Sequence, residues 1–292
     1  MANKVINPES YALKRKIVNI LVYILLTVLA VIWVMPLVWI ALQSFRAGRG
    51  AYVASLFPSS YTIDNYVALF QDTNNLNFPR AFMNTFIVAV FSCIISVFFT
   101  LSVSFCFSRL RFKWRTRYMN LFMILGLFPG FMAMLATYFI LKALGLTQGD
   151  LIKVALVLVY SASTGMGFTI SKGFFDTIPK ALDEAAYVDG ATRWQVFTKI
   201  TIPLSKPILV YTALQAFMAP WIDFVFAKVI CGANQAQYTV ALTMWNMLER
   251  EYIDTWFVRF AAAAVLVSIP ISIMFIKMQG FYTNGMGGAV KG

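Results

Sequence analysis

The sequence predicts an all-α integral membrane protein with six transmembrane helices, and three observations carry that prediction. Sixty per cent of the 292 residues are hydrophobic, only 12% are charged, and the mean hydropathy is +0.73. A water-soluble surface of ordinary polarity cannot be built from that balance. Uncharged windows recur at 17–45, 81–108, 118–141, 154–171, 207–222 and 260–276, and a spanning helix needs roughly 17–25 mostly apolar residues. The Lys and Arg residues fall unequally on alternate connections between these windows.

The windows can be justified in order. Residues 1–16 form a tail, and window 17–45 is too long for a signal-peptide core and has no small-residue cleavage site behind it, so it stays as an anchor. Window 81–108 carries Ser92, Ser96, Thr100, Ser104 and Ser108 at every fourth position. Each such step turns a helix about 40° past a full circle, so the five wind over roughly 160° and read as a packing face rather than a single hydroxyl track. In window 118–141, Gly126–Gly130 with Pro129 reads as a close-packed kink. The shorter windows reach across by extending into flanking apolar residues, at a cost of only fractions of a kcal/mol per Å of mismatch. Residues 229–248 are also uncharged, but they include Gly232, Asn234, Gln235, Gln237, Thr239 and Asn246. Those amides would need partners in hydrocarbon, so the segment is expected to be an external loop or to lie on the surface. Window 260–276 is the last span and 277–292 a second tail, making 17–276 one six-span domain.

Orientation follows from the basic residues. With six spans, the two tails and the loops 109–117 and 172–206 hold sixteen Lys and Arg against eight on the opposite side. That excess places both termini and the 172–206 loop in the cytoplasm. The net charge of +12 flanks spans instead of forming a stripe on a folded domain, which argues against nucleic-acid binding. Cys93, Cys106 and Cys231 are odd in number and lack metal-ligand spacing. The chain has no His, which excludes the commonest metal ligand and His-based catalysis. It also lacks a Gly-x-x-x-x-Gly-Lys-Ser/Thr phosphate loop, so any ATP and Mg are bound by another chain. No cofactor and no enzymatic chemistry are expected.

The 172–206 loop is the most informative hydrophilic stretch. Pro179 suits the start of a helix because its missing N–H is not needed in the first turn, and Asp183 and Glu184 lie near the positive helix end. Ala181, Ala185 and Val188 make a narrow face of small residues. Gly190 can take a positive φ to end that helix. A second helix carries Trp194, Phe197 and Ile200 at threefold spacing and is closed by Pro203. Periodicity alone favours an amphipathic loop lying on its own membrane domain.

The run Glu184-Ala185-Ala186, with Asp189-Gly190-Ala191 following, Ile200 and then Pro203, resembles the signature loop of the membrane subunits of binding-protein-dependent ABC importers. In that family a Gly follows the Glu by six residues and a Pro by nineteen; Ile202 stands where Leu is usual. The Thr62-Ile63-Asp64-Asn65-Tyr66 and Asn84-Thr85 segments, Tyr238–Leu242, Phe260–Val265 and the Gly-rich end at Gly287–Gly292 look like sugar permeases of the maltose/maltodextrin group, the smaller permease subunit in particular. The resemblance implies a type I importer fold and a homologous permease partner. It also implies two ATPase subunits docked on the Glu184–Pro203 loop, an external solute-binding protein and an oligosaccharide cargo, in a bacterial inner membrane.

Within the spans, Tyr211, Gln215 and Met218, with Trp221 further along, share part of the fifth span and are candidates for a sugar path, although core packing is the simpler reading. Asp223 is an acid near a span end and a default functional candidate; its place near the outer boundary favours an interfacial acid satisfied by water or Lys228. The family's Asn-Glu pair after a Trp is replaced here by Trp221-Ile222-Asp223. The alternatives from other classes are an ion-coupled secondary transporter using Asp223 and a receptor or scaffold without flux.

Overall fold

A computed structural model describes residues 8–48, 57–72, 76–162, 165–249 and 253–287. The helices run in the order α1 (Pro8–Ser44), α2 (Asp64–Gln71), α3 (Phe78–Arg109), α4 (Arg115–Gly126), α5 (Gly130–Ala143), α6 (Leu151–Ser161), α7 (Gly165–Thr177) and α8 (Lys180–Val188). They continue as α9 (Arg193–Val196), α10 (Ile202–Leu204), α11 (Lys206–Ile222), α12 (Val225–Cys231), α13 (Val240–Met247) and α14 (Ile253–Gly287). The only β pairing among the described residues is a single bridge between Arg46 and Tyr61.

All six uncharged windows fall on helices, but not all are straight spans. Helices α1, α3 and α14 are each long and apolar enough to cross a membrane; α4 with α5, and α11 with α12, form pairs bent by 103° and 62°. Counting each bent pair as one span gives up to five, and the fourth window is divided between α6 and α7. The α4/α5 break lies at Leu127–Pro129, where Pro129 has no N–H to continue the ladder. The expected close-packed kink is therefore a full break, and it is not packed within this chain: Leu127 is 79% and Phe128 57% exposed.

The expected tails are partly helical. Helix α1 takes in residues 8–16 and α14 runs to Gly287, while residues 1–7 and 288–292, including most of the Gly-rich end, lie outside the described residues.

Segment 229–248 is not a span, as its polar residues require, and it lies only partly on the surface: Gly232, Ala233, Gln235 and Trp245 are exposed. Helix α12 ends at Gly232 with φ +54°, and Gln237, Val240, Leu242, Thr243 and Met247 are buried. Two neighbours on α3 supply the missing hydrogen bonds. The Asn84 amide donates to the carbonyls of Ala236 and Tyr238 at 3.0 and 3.2 Å, and Thr85 Oγ1 accepts the Val240 N–H at 2.7 Å. Thr239 then caps α13 by accepting the Leu242 N–H. The Asn65-Tyr66 pair acts similarly: Asn65 donates to the carbonyls of Ser44 and Arg46, and Tyr66 and Ser44 share a hydroxyl hydrogen bond of 2.8 Å.

Helix α3 runs through the centre, and three apolar clusters are strung along it. Leu69, Phe78, Trp221, Met247 and Trp256 pack around its N-terminal end. Val88, Ile152, Leu156, Phe226 and Leu242 follow. Leu101, Phe105, Phe175, Val196 and Phe197 close the end that carries the hydrophilic loop. By contrast, α1 between Ile17 and Val38 is exposed almost throughout, and α4 buries nothing.

Candidate functional site

Between α3, α6, α7 and α11 lies an open cavity of about 320 Å³. Its wall includes Ser96 and Thr100 from α3, Tyr160 from α6, and Tyr211, Thr212 and Gln215 from α11. No lining residue carries a charge. Hydroxyls, phenol rings and an amide offer donors, acceptors and flat apolar faces, a set that fits neutral polyols.

The four-residue hydroxyl series on α3 divides as its winding requires. Ser92 Oγ donates to the Val157 carbonyl at 3.4 Å, Ser104 Oγ to the Phe168 carbonyl at 3.2 Å and Ser108 Oγ to Asp176 Oδ1 at 2.6 Å. These three pack α3 against α6 and α7, as the packing reading expects, while Ser96 and Thr100 between them are buried at the cavity wall, 5% and 1% exposed. Of the fifth-span candidates, Tyr211 and Gln215 meet at the cavity, with Gln215 Nε2 3.4 Å from the Tyr211 hydroxyl. Met218 is half-buried beside the cavity wall without lining it. Trp221 is not at the cavity wall: it is 3% exposed and packs edge-on to Phe82 at 5.2 Å, because its turn of α11 faces the α3/α14 core.

Asp223 ends α11 at the 62° bend. It is not paired with Lys228: Oδ2 accepts from the Tyr160 hydroxyl at 2.9 Å and Oδ1 from the Phe226 N–H at 3.1 Å, while Lys228 lies 3.7 Å from Glu249. The carboxylate thus caps α12 and fixes the ring of a cavity residue that sequence reasoning did not single out.

The hydrophilic loop has the predicted helix–turn–helix form. Pro179 precedes α8, and Gly190 has φ +82°. The Gly190 N–H reaches the Tyr187 carbonyl at 3.1 Å and the Ala191 N–H the Ala186 carbonyl at 2.9 Å, the paired bonds of a Schellman motif. Space around Gly190 is open, so the turn demands Gly for its backbone and not for room. Thr192 and Gln195 form a reciprocal capping box at the start of α9. From Phe197 to Thr201 the helix widens to π geometry, and Pro203 follows without the N–H a regular turn would use. Glu184, Ala185, Asp189 and Pro203 are exposed, whereas Ala186, Ala191 and Ile200 are half-buried against the Phe175–Phe197 cluster.

Composition and spacing gave no sign of what fastens this loop to the membrane domain. Arg109 Nε at the end of α3 lies 2.8 Å from Asp183 Oδ2, with the two side chains 4% and 7% exposed. Burial holds the Asp183 carboxyl above its ordinary value; the Arg109 charge pulls against that shift and Glu184 adds to it. An Arg at the last helical position and an Asp one residue before Glu184 are each ordinary in sequence, and only the fold brings them together.

A bundle of bent and straight apolar helices around an uncharged cavity, with a structured hydrophilic loop at one end, defines a multi-pass membrane permease and not an enzyme. The family described as "Binding-protein-dependent transport system inner membrane component" matches residues 100–284, and the chain belongs to it. It is 33% identical over 272 residues to the galactooligosaccharides transport system permease protein GanQ of Bacillus subtilis (strain 168), covering 92% of this chain and 94% of that protein. It is 30% identical to the maltodextrin transport system permease protein MdxG of the same organism, covering 95% and 98%. It is 31% identical to the maltose/maltodextrin transport system permease protein MalG of Vibrio vulnificus (strain YJ016), covering 89% and 91%. In fold it is similar to a chain of a bacterial ABC transporter involved in import of the acidic polysaccharide alginate, with TM-score 0.78, 19% identity and coverage of 92% and 98%.

Proposed function

We propose that this chain is one permease half of an ATP-driven importer for neutral oligosaccharides, with maltodextrin as its substrate. The observation that carries the reading is the cavity wall. Ser96, Thr100, Tyr160, Tyr211, Thr212 and Gln215 present hydroxyls, rings and an amide with no Lys or Arg to attract an acidic sugar. Full-length likeness to permeases named for maltodextrin and galactooligosaccharides supports the same cargo class.

A homologous permease partner is supported by the α4/α5 break. Backbone that leaves the helix at membrane depth is tolerated only where protein covers it or water reaches it, yet Leu127 and Phe128 are exposed in this chain. A second permease subunit covers that break and completes the path. Two ATPase subunits dock at the cytoplasmic face on the loop carrying Glu184, Ala185, Ala186, Asp189, Gly190, Ala191, Ile200 and Pro203, and they bind the ATP and Mg. Their closure moves the loop, and rigid-body rotation of helices opens the cavity towards a loaded solute-binding protein outside the cell membrane. With this orientation both termini are cytoplasmic. Asp223, engaged through both oxygens by Tyr160 and Phe226, serves as a helix cap rather than as a proton carrier.

The test is uptake by cells lacking this subunit, offered labelled maltotetraose, a labelled β-linked galactotriose or glucose at low concentration. Loss of maltotetraose uptake with glucose uptake intact is the expected result. Loss of galactotriose uptake alone establishes the second reading, favoured by the 33% identity to GanQ, and retention of both overturns the oligosaccharide class.

A further inference from the structure

The only buried residue of α8 is a charged one, Asp183. Of the rest of the helix that carries Glu184 only Ala186 is half-buried, against the Phe175–Phe197 cluster, and Val188 is 89% exposed, so its one polar anchor to the membrane domain is Asp183. That side chain meets Arg109, the last residue of α3, at 2.8 Å, and the Arg109 guanidinium also donates to the Ile178 carbonyl at 3.0 Å in the link between α7 and α8. Burying two charges carries a desolvation cost that their attraction offsets incompletely, and apolar residues of similar volume hold helices together at least as well. The one further hydrogen bond, from Arg109 to the Ile178 carbonyl, offsets that cost only in part. Among the described residues, Arg109 Nη1 and Asp183 Oδ1 are buried without a hydrogen-bond partner, and Arg109 Nε meets Asp183 as an ion pair without hydrogen-bond geometry. Stability alone therefore does not explain the pair.

Position does. Helix α3 is continuous from Phe78 to Arg109, and Thr100 of the cavity wall lies on it about 14 Å from Arg109 at 1.5 Å per residue. A displacement of α8 pulls on Arg109, and an unbroken helix carries the pull to Thr100 and Ser96. We propose that the Arg109–Asp183 ion pair is the tie through which movement of the Glu184 loop reaches α3 and the cavity wall. Arg109 is then a positioning residue for energy coupling that touches neither sugar nor nucleotide. This rests on the reading that ATPase subunits drive the loop.

The experiment uses the complete importer, co-expressed with its permease partner, ATPases and binding protein and reconstituted in lipid vesicles. ATP hydrolysis and import of maltotriose or galactotriose, whichever the wild type transports, are measured together for Asp183→Asn, Arg109→Met and the double variant. Each single change is expected to raise the ATP consumed per sugar imported by about tenfold. The double variant should be no worse than either single one, because each already cuts the same tie. Asp183→Asn keeps the shape of the carboxylate and carries the test if Arg109→Met does not insert. Variants that are poorly recovered but keep the wild-type ATP-to-sugar ratio have lost structure only, and that result, or additive losses, overturns the tie. A wild-type complex without co-purifying ATPases, or with import independent of ATP, overturns the parent reading and the tie with it.

Discussion

Single residues in this chain often act through backbone geometry. Gly190 sits at φ +82° with open space around it, so Gly190→Val meets no neighbour and yet strains the turn by ~1–3 kcal/mol. Insertion of the helices should be normal while recovery of ATPase subunits or sugar uptake falls; a Gly190→Val protein that keeps both at wild-type levels contradicts the role given to the turn. Glu184→Ala should act more mildly, since it removes one exposed charge without moving the backbone. On the opposite face, Thr85 Oγ1 is the partner of the buried Val240 N–H. Thr85→Val leaves that group unsatisfied at a cost of about 1–3 kcal/mol, to be read as a lower thermal midpoint of the detergent-solubilised protein. The Asn84-Thr85 pair was visible in the sequence as a motif. Its task, holding a chain segment some 155 residues away, was not.

Helices were legible wherever their own composition decided them. Windows 17–45, 81–108 and 260–276 match α1, α3 and α14, and the Pro179, Gly190 and Thr192 signals match the ends of α8 and α9. The breaks within the third window and just after the fifth were less legible, because a bend of 62° or 103° depends on what packs beside the helix as much as on Pro. Segment 229–248 shows the same limit: polarity excluded a span, but only α3 determined that part of it is buried. Labelling tests this directly. In a variant with Cys93, Cys106 and Cys231 replaced by Ala, single cysteines at the exposed Gln148 and Gln235 should react with an impermeant thiol reagent from outside. One at the exposed Asp176 should react only after the membrane is opened. A cysteine at Gln237, which is 3% exposed and donates to Asp150 at 2.7 Å, should stay protected. Labelling of the Asp176 position from outside reverses the orientation.

For the whole molecule, the path is proposed to be half of a structure. Exposed apolar surface on α1, α4 and α5 and an open cavity fit a subunit that is completed by lipid and a second permease. Within this chain's half, Gln215→Leu keeps bulk and removes the amide, a loss of one hydrogen bond worth ~1.5 kcal/mol. It should raise the sugar concentration for half-maximal uptake by roughly tenfold without altering recovery of the complex. An unchanged half-maximal concentration removes Gln215 from the path.

By itself the sequence determined the solvent this protein lives in, the number and place of its apolar windows and the turn chemistry of the Glu184–Pro203 loop. Each of those depends on local composition or on neighbours within a few residues. Only the tertiary structure decided that Trp221 belongs to the core while Tyr211 and Gln215 open on a cavity, that Asp223 answers to Tyr160, and that Arg109 meets Asp183. Those pairings join residues 63 to 74 positions apart or assign one helix face rather than another. A hydrophobic helix in a membrane shows little amphipathic asymmetry to reveal its facing, since lipid and protein interior are equally apolar. Which side of it meets a polar cavity is therefore set by the neighbouring helices.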